Sequence, residues 1–426
     1  MFKTIFRVFL HELLNIFRVD AILSILVSGA VLYFFYYPIP YDNEEVREAP
    51  AVVIDQDHST MSRALMRKLD ATDSINIVAN VATMDEAEHM MRNREIYGIF
   101  LIPFNFEQDI LSGRSGALSY YGDASYVMIY GKITGAVQSV VQQFSQEIGA
   151  ARQIEMGVDP AIALGNSAPI TPVLVPLYNP QNGYATYVIP PVYVLIVYQC
   201  LFLALMISMI LGRQSTFNRS LVADPNSSPF VMAFYALLGK WLAYLLVSLT
   251  IFVAYMGLTP IFYQLPFHGS ILNLLFFSVI FLSGTIFAGI FFGQFFRKFD
   301  DLFLIIMPSS MLLFFLSGMS WPKEMIPDIL AFFTYLLPIF PGITSMVTLN
   351  QMDGSLENIR PELIQLVALM GVYSLLALYS LYRYYQRLQQ QAAVADTADN
   401  KGNVPQEATT ILEAASEKIA EKMPAE

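Results

Sequence analysis

Long apolar runs separated by short polar segments dominate the hydropathy pattern of this chain. Six of these runs are about as long as the helix that crosses a hydrocarbon core of roughly 30 Å at about 1.5 Å per residue. They cover residues 21–37, 188–211, 237–257, 271–295, 302–319 and 363–382. The pattern therefore predicts a polytopic α-helical membrane protein with six transmembrane helices, five of them in a membrane domain over residues 187–388.

The segment before the first run is amphipathic. Polar side chains recur at spacings of three and four from Lys3 through Arg7 and His11 to Arg18, and apolar side chains fill the other faces. Such a helix lies in the headgroup layer. A signal-peptide n-region is a weaker interpretation, because no small-residue cleavage site follows the next run. We expect residues 1–20 to form an interfacial helix.

A sizeable polar block, residues 38–186, separates the first two runs. Strand-like and helix-like patterns alternate within it. Strands are predicted at residues 51–54, 75–81, 97–102 and 117–121, and helices at 59–69, 84–94, 106–111 and from about 126. This alternation predicts an inserted α/β domain.

Acidic and histidine side chains follow the first predicted strand of this block, at Asp55, Asp57 and His58. They have the residue types of a metal or catalytic cluster. However, they lie at a strand-to-helix turn, where Asp57 or Ser59 is well placed to cap the helix. We favour capping over chemistry.

The apolar segment after the fifth run cannot span a membrane, because prolines flank it on both sides. Proline removes a backbone donor and clashes with the preceding turn. We therefore predict a re-entrant or interfacial element over residues 322–342. The residues that mark it are Trp321, Pro322, Pro327 and Pro338, with Pro341 shortly after.

Composition supports a membrane protein with one water-soluble part: 55% of residues are hydrophobic, 14% are charged and the mean hydropathy is +0.50. The net charge of -11 disfavours nucleic acid as a partner. Cys200 is the single cysteine, and the four histidines lack metal-ligand spacing. We expect no cofactor and no metal.

Basic residues indicate the orientation in the membrane. They cluster in the N-terminal segment and in the loops after the second, fourth and sixth runs, whereas the loop at residues 260–269 has none. By the positive-inside rule, both termini are cytoplasmic and the polar block is extracytoplasmic. The tail at residues 389–426 is rich in alanine and acidic residues, which predicts a disordered cytoplasmic segment.

Several short motifs occur in a familiar order. Residues 316–327 have the sequence LSGMSWPKEMIP, followed by Leu-Pro at 337–338 and Leu-Asn-Gln at 349–351. This segment resembles the hallmark segment of the ABC-2 type permeases, which are membrane subunits of ATP-binding-cassette exporters. Residues 52–59, 98–103, 123–126 and 177–180 look like the extracytoplasmic domain of multidrug-type members. The resemblance covers nearly the whole chain except its tail.

The resemblance implies a cytoplasmic ATPase, a second permease subunit in a homo- or heterodimer, and a periplasmic adaptor as partners. The ATPase would engage the N-terminal helix and the loop between the second and third spans. This loop has the sequence GRQSTFNR at residues 212–219, without the glutamates and the glycine of the Glu-x-Glu-x-Gly-Thr pattern usual in the family. Gly239-Lys240-Trp241 does match the family. The expected coupling residues are Arg213, Gln214, Thr216, Phe217 and Arg219.

The chain has no P-loop of its own, since GxxxxGK[ST] is absent from the sequence. The second, fourth and fifth spans also contain no Asp, Glu, Lys, Arg or His, which disfavours ion coupling. Polar and aromatic residues at membrane depth are candidates for a translocation path, although ordinary helix packing is the alternative for each. They are Tyr193, Tyr198, Gln199, Ser208, Ser309, Ser310 and Ser317.

We therefore expect a permease subunit of an ATP-driven exporter in a bacterial inner membrane, moving amphipathic or lipid-like small molecules, and not itself an enzyme. An ATPase-independent membrane scaffold or receptor, similar to phage-infection-type proteins, is the alternative. A membrane-bound hydrolase would need a nucleophile and a base, and His58 and His89 have no triad context.

Overall fold

The computed structural model describes residues 2–41, 44–169, 176–180, 182–213, 215–221 and 228–399, without the side chains of residues 219 and 392–399. The chain divides into two compact units. The membrane unit comprises Met1–Asp42 and Tyr184–Glu426, and the inserted unit comprises Asn43–Gly183.

The membrane unit begins with an amphipathic helix, α1 (Phe2–Arg18). Its buried face is formed by Val8, Glu12 and Ile16, which recur every four residues, whereas Phe2 and Phe6 are exposed. The first candidate span, Asp20–Tyr41, contains α2 (Asp20–Leu23), a π-helical turn (Ser24–Gly29) and α3 (Ala30–Tyr36). The pattern at residues 1–37 did not indicate that the buried face of α1 would carry a glutamate.

The inserted unit alternates strands and helices, as the pattern predicts. In chain order they are β1 (Ala49–Asp55), α4 (Thr60–Asp70), β2 (Ile75–Asn80), α5 (Met84–Arg92), β3 (Gly98–Ile102), α6 (Phe106–Leu111), β4 (Ser119–Gly122), α7 (Val127–Glu155) and α8 (Pro160–Ser167). The strands form a sheet in the order β2-β1-β3-β4. β1 is parallel to both of its neighbours, and β4 is antiparallel to β3.

The sheet of the inserted unit has an apolar core on each face, because alternate residues of a strand point in opposite directions. Ala51 and Val53 of β1 pack with α4 and α7 on one face. Val52 and Ile54 pack with α5 on the other face. The fold is therefore a three-layer α/β sandwich.

The membrane unit continues with eight more helices in the described residues. They are α9 (Tyr184–Gly212), α10 (Thr216–Leu221), α11 (Pro229–Tyr263), α12 (Ile271–Gly293), α13 (Phe299–Leu316), α14 (Asp328–Thr334), α15 (Ile339–Asn350) and α16 (Arg360–Asp399). Six helices of the described chain are long and apolar enough to cross a membrane, α9, α11, α12, α13 and α16 among them. This agrees with the predicted polytopic fold with an inserted domain.

The spans differ greatly in burial. In the most apolar window of α9, 89% of the residues are buried, against 11% in α13. α9 packs against α11, α12 and α15 and is the centre of the bundle. α13 presents Leu304, Met307 and Met311 outward.

The proline-flanked element is longer than predicted. α14 and α15 meet at a bend of 77°, and together they are apolar enough for a broken span or a re-entrant loop. Pro338 is the N-cap residue of α15, and Pro341 lies in its first turn, where the missing N–H would have no helical partner anyway. The helix therefore continues to Asn350, beyond the predicted end at residue 342.

Part of the segment predicted to be a disordered tail is helical. α16 continues to Asp399, past residue 389, because the alanine and glutamine residues there favour helix. Residues 400–426 of the predicted tail lie outside the described residues.

Candidate functional site

Two elements that the sequence nominates separately for partner binding, α1 and the loop after α9, lie against each other. The ring of Phe217 on α10 stacks on His11 of α1, with 3.8 Å between ring centroids and 8° between planes. The Arg7 guanidinium carbon lies 5.5 Å from the centroid of the same ring. The two elements therefore form one continuous surface, defined by Arg7, His11, Thr216 and Phe217. We call it the docking surface because the resemblance implies that an ATPase engages both elements.

α10 is tied to the ends of two long helices. Asn218 Nδ2 and the Tyr384 hydroxyl both donate to the Gly212 carbonyl oxygen, at 2.8 and 2.9 Å. The Tyr385 hydroxyl donates to Asn218 Oδ1 at 3.4 Å. The Gly212 carbonyl at the end of α9 thus accepts from these two side chains as well as from the Ser215 amide. The docking surface is thus fixed to both α9 and α16.

The predicted coupling residues have different environments. Arg213 donates through Nη2 to the Gln294 carbonyl oxygen at the end of α12, so it caps a helix inside the unit. Thr216 is exposed and Phe217 is half-buried. Gln214 and the side chain of Arg219 lie outside the described residues. Thr216 and Phe217 are therefore the predicted coupling residues that the structure places on the docking surface.

The burial of His11 predicts that the stability of the chain depends on pH. Burial lowers the pKa of His11 below the ordinary value of 6.5; Glu12 opposes this shift, while Lys240 and Arg7 add to it. As the pH falls through 6.5, the unfolded chain takes up a proton on His11 before the folded chain does, so the free energy of unfolding falls.

Between pH 7.5 and 5.5, we expect the thermal midpoint of the wild type to fall further than that of His11→Phe, which keeps the stacked ring. Equal falls of the two thermal midpoints, measured by differential scanning fluorimetry, would contradict a lowered pKa of His11.

Beneath the docking surface lies a buried ion pair. Glu12 Oε2 of α1 is 2.7 Å from Lys240 Nζ of α11, and both side chains are 8% exposed. Lys240 Nζ also donates to Ser208 Oγ of α9 at 2.6 Å. Ser208, a predicted path residue, is therefore part of this pair's environment.

Sequence reasoning did not select Glu12 or Lys240 as site residues. Lys240 was visible within the Gly-Lys-Trp pattern of the third span, and Glu12 lies four residues from both Val8 and Ile16 on the apolar stripe of α1. A charge on such a stripe is the signal that could have indicated a buried partner.

The remaining predicted path residues divide between α9 and α13. The Tyr193 hydroxyl donates to the Phe34 carbonyl oxygen at 3.0 Å, and Tyr198 is fully buried and stacked on Phe202. The Gln199 side-chain nitrogen is buried without a hydrogen-bond partner among the described residues. Ser309, Ser310 and Ser317 all donate to carbonyls three or four residues earlier in α13. Apart from Gln199, these contacts suit helix packing, so the path stays a prediction.

The residues that mark the proline-flanked element lie at its turns. Pro322 and Pro327 are the N-cap residues of a 3-10 turn (Lys323–Met325) and of α14. Trp321 is half exposed and donates through Nε1 to the Met325 carbonyl oxygen at 3.4 Å. Lys323 Nζ donates to Thr344 Oγ1 of α15, which ties the turn to the second helix.

The acidic turn after β1 is structural. Asp55 Oδ1 accepts hydrogen bonds from the amides of Asp57 and His58, and Ser59 rather than Asp57 caps α4 through the Ser62 amide. Among the described residues, no group of three or more His, Cys, Asp or Glu side chains could hold a metal ion.

Comparison with known protein families gives a match over most of the chain. A family model described as "ABC-2 family transporter protein" matches residues 21–379, from the first span into α16. No curated protein and no solved structure matches the chain. The matched range contains all six candidate spans, at least in part, together with the inserted unit. The chain therefore belongs to the ABC-2 family, as the membrane permease of an ABC transporter and not as its catalytic subunit.

Proposed function

We propose that a separate cytoplasmic ATPase drives this permease and binds it at the docking surface. The observation that carries the proposal is the stacking of Phe217 on His11 beside Arg7, which joins α1 to α10. A partner that pushes on either element would move both. The basic Arg7 and Arg18 of α1 suit an acidic face of the partner and anionic lipid headgroups alike.

The proposal places the docking surface in the cytoplasm. Arg7, Arg213 and Arg383 belong to the segments at the same ends of their spans, and basic residues mark the cytoplasmic side of a bacterial inner membrane. With both termini on that side, the inserted unit between the first two spans is extracytoplasmic. There it would gate release or bind a periplasmic adaptor.

We further propose export of amphipathic or lipid-like small molecules. A cavity of about 340 Å³ between α11 and α12 is lined mainly by apolar side chains, including Phe252, Met256 and Leu274, and also by Ser278. This volume is in the usual range for small-molecule sites. The outward apolar face of α13 suits a second copy of this chain, so a homodimer would complete the transporter.

The test is purification of the tagged permease from its native membrane in detergent, followed by an ATPase assay. We expect a P-loop ATPase to co-purify in stoichiometric amount with the wild type. Phe217→Ala should reduce the bound ATPase by about three- to tenfold, because α10 is then no longer held on α1 by the stacked ring and the cation–π contact and the surface must be ordered on binding. Phe104→Ala, which removes an exposed phenylalanine of the inserted unit, is the matched control and should leave binding unchanged.

One observation favours a second candidate, an ATPase-independent scaffold or receptor. The loop at residues 212–219 carries no acidic side chain, unlike the loop usual in the family. If no ATPase co-purifies with the wild type while an extracytoplasmic protein does, the exporter proposal fails and the scaffold replaces it.

A further inference from the structure

The ion pair beneath the docking surface is unusually deep for a contact between two helices. Glu12 and Lys240 are each 8% exposed on the side chain, and the two charged groups lie 2.7 Å apart. Removing two charges from water costs more than an apolar contact of similar size would, so a buried pair is weak evidence for stability. Its directional contact does fix one relative position of the helices that carry it.

The backbones of α1 and α11 also meet beside this pair. A methyl group on Gly239 would lie 2.6 Å from Val8 Cγ1 and 2.9 Å from the backbone nitrogen of Phe9. A side-chain carbon in a folded protein does not approach non-bonded atoms so closely, so α1 lies against the glycine backbone itself. The neighbouring residue, Lys240, therefore reaches Glu12 from a fixed point on α11.

The pair lies where many helices of the membrane unit converge. Beside it is a cavity of about 20 Å³, with room for about one water molecule. Residues from six helices line it: Glu12 of α1, Ser208 of α9, Asn218 of α10, Lys240 of α11, Gln294 of α12 and Tyr385 of α16. The Gln294 side-chain nitrogen is buried there without a hydrogen-bond partner among the described residues.

We propose that Glu12 and Lys240, supported by Ser208, form the latch that transmits movement of the docking surface to the third span. The inference rests on the proposed function, because the movement comes from the ATPase. Both are positioning residues. The ion pair holds α1 in one register on α11, so that a force on α1 displaces α11 and α1 does not slide along it. Without the ion pair, only the packing of Val8 against Gly239 would hold this register.

The first measurement tests the latch without an ATPase. Val8→Cys replaces a buried side chain by one of similar size next to Gly239, and Cys200→Ala removes the native thiol. In this background, we expect Glu12→Gln or Lys240→Met to raise the labelling rate of Cys at position 8 with a water-soluble maleimide by about tenfold, because α1 leaves α11 more often.

Lys132→Met, which breaks the Lys132–Glu45 ion pair of the inserted unit, is the matched control and should not change the labelling rate.

The second measurement uses the co-purified complex in liposomes and compares cargo moved with ATP hydrolysed. The probe is a fluorescent cationic amphiphile. The double variant Glu12→Leu with Lys240→Met removes both charges and keeps the site packed, so it should fold and bind ATPase. We expect it to move about tenfold less probe per ATP than the wild type, since register is lost while binding is kept.

The outcomes separate this inference from the proposed function. If the labelling rate is unchanged in both single variants, or if the double variant moves as much probe per ATP as the wild type, the latch is overturned. If the wild type binds no ATPase, the proposed partner is wrong. If the complex hydrolyses ATP but moves no probe, the proposed cargo class is wrong. The labelling result then still decides whether the ion pair holds α1 on α11.

Discussion

Replacing Gly342 with alanine is expected to lower the free energy of unfolding of the membrane unit by about 2 kcal/mol. The added methyl group would lie 2.5 Å from Cε2 and 2.7 Å from Cδ2 of Phe281, closer than carbon atoms pack. Phe281 of α12 is fully buried and stacked on Phe277, with 5.7 Å between ring centroids, so its ring cannot move aside. Relief requires α15 to move away from α12, which opens a gap in the core.

The measurement is the thermal unfolding midpoint of the purified chain in one detergent. Gly257→Ala is the matched control, because a methyl group at this position of α11 would meet nothing within 4 Å and alanine favours helix. We expect a midpoint several degrees lower for Gly342→Ala and an unchanged or slightly higher one for Gly257→Ala. Equal midpoints for the two variants would show that α15 does not lie this close to α12.

The close approach at Gly342 illustrates what the hydropathy pattern could and could not predict. The pattern located the spans because a membrane helix must be apolar along its length. It did not distinguish the central α9 from the outward α13, although 89% and 11% of their most apolar windows are buried. Lipid and protein interior are both apolar, so the same side chains suit either environment.

The prolines around α14 and α15 show a second limit. The sequence correctly indicated a break, because proline disrupts the interior of a helix. Whether a proline ends one helix or begins the next depends on which backbone N–H groups already have partners. Pro341 falls in the first turn of α15, where no N–H is needed, and this depends on where the chain turns after α14.

The candidate site was predictable in its parts but not in its assembly. The amphipathic stripe of α1 and the loop containing Phe217 were both recognised from local sequence. Their contact, and the pairing of Glu12 with Lys240, join residues far apart along the chain. Local periodicity carries no information on such pairs, so a single sequence could indicate only that Glu12 lay on an apolar stripe.

The inserted unit offers the second large effect, because its first strand ends in a buried carboxylate. Asp55 is 5% exposed and accepts hydrogen bonds from the amides of Asp57 and His58, at 3.1 and 3.0 Å, and from Ser62 Oγ at 2.8 Å. These bonds hold His58 at a φ of 52°, in the left-handed region that a non-glycine residue seldom adopts. They also connect β1 to the first turn of α4.

Asp55→Ala is therefore expected to destabilise the inserted unit by about 3 kcal/mol, since a buried acceptor of three hydrogen bonds is lost and the part-buried amides of Asp57 and His58 are left without this partner. Hydrogen exchange of the full chain, followed by mass spectrometry, should show faster exchange in β1 and β3, where central strands normally open only with the whole unit. Asp55→Asn retains one acceptor oxygen and should give an intermediate rate, while Asp73→Ala removes an exposed carboxylate of the same unit and should give the wild-type rate. If Asp55→Ala exchanges no faster than Asp73→Ala, the turn after β1 does not depend on this carboxylate, and its acidic residues would again be free for a role in binding.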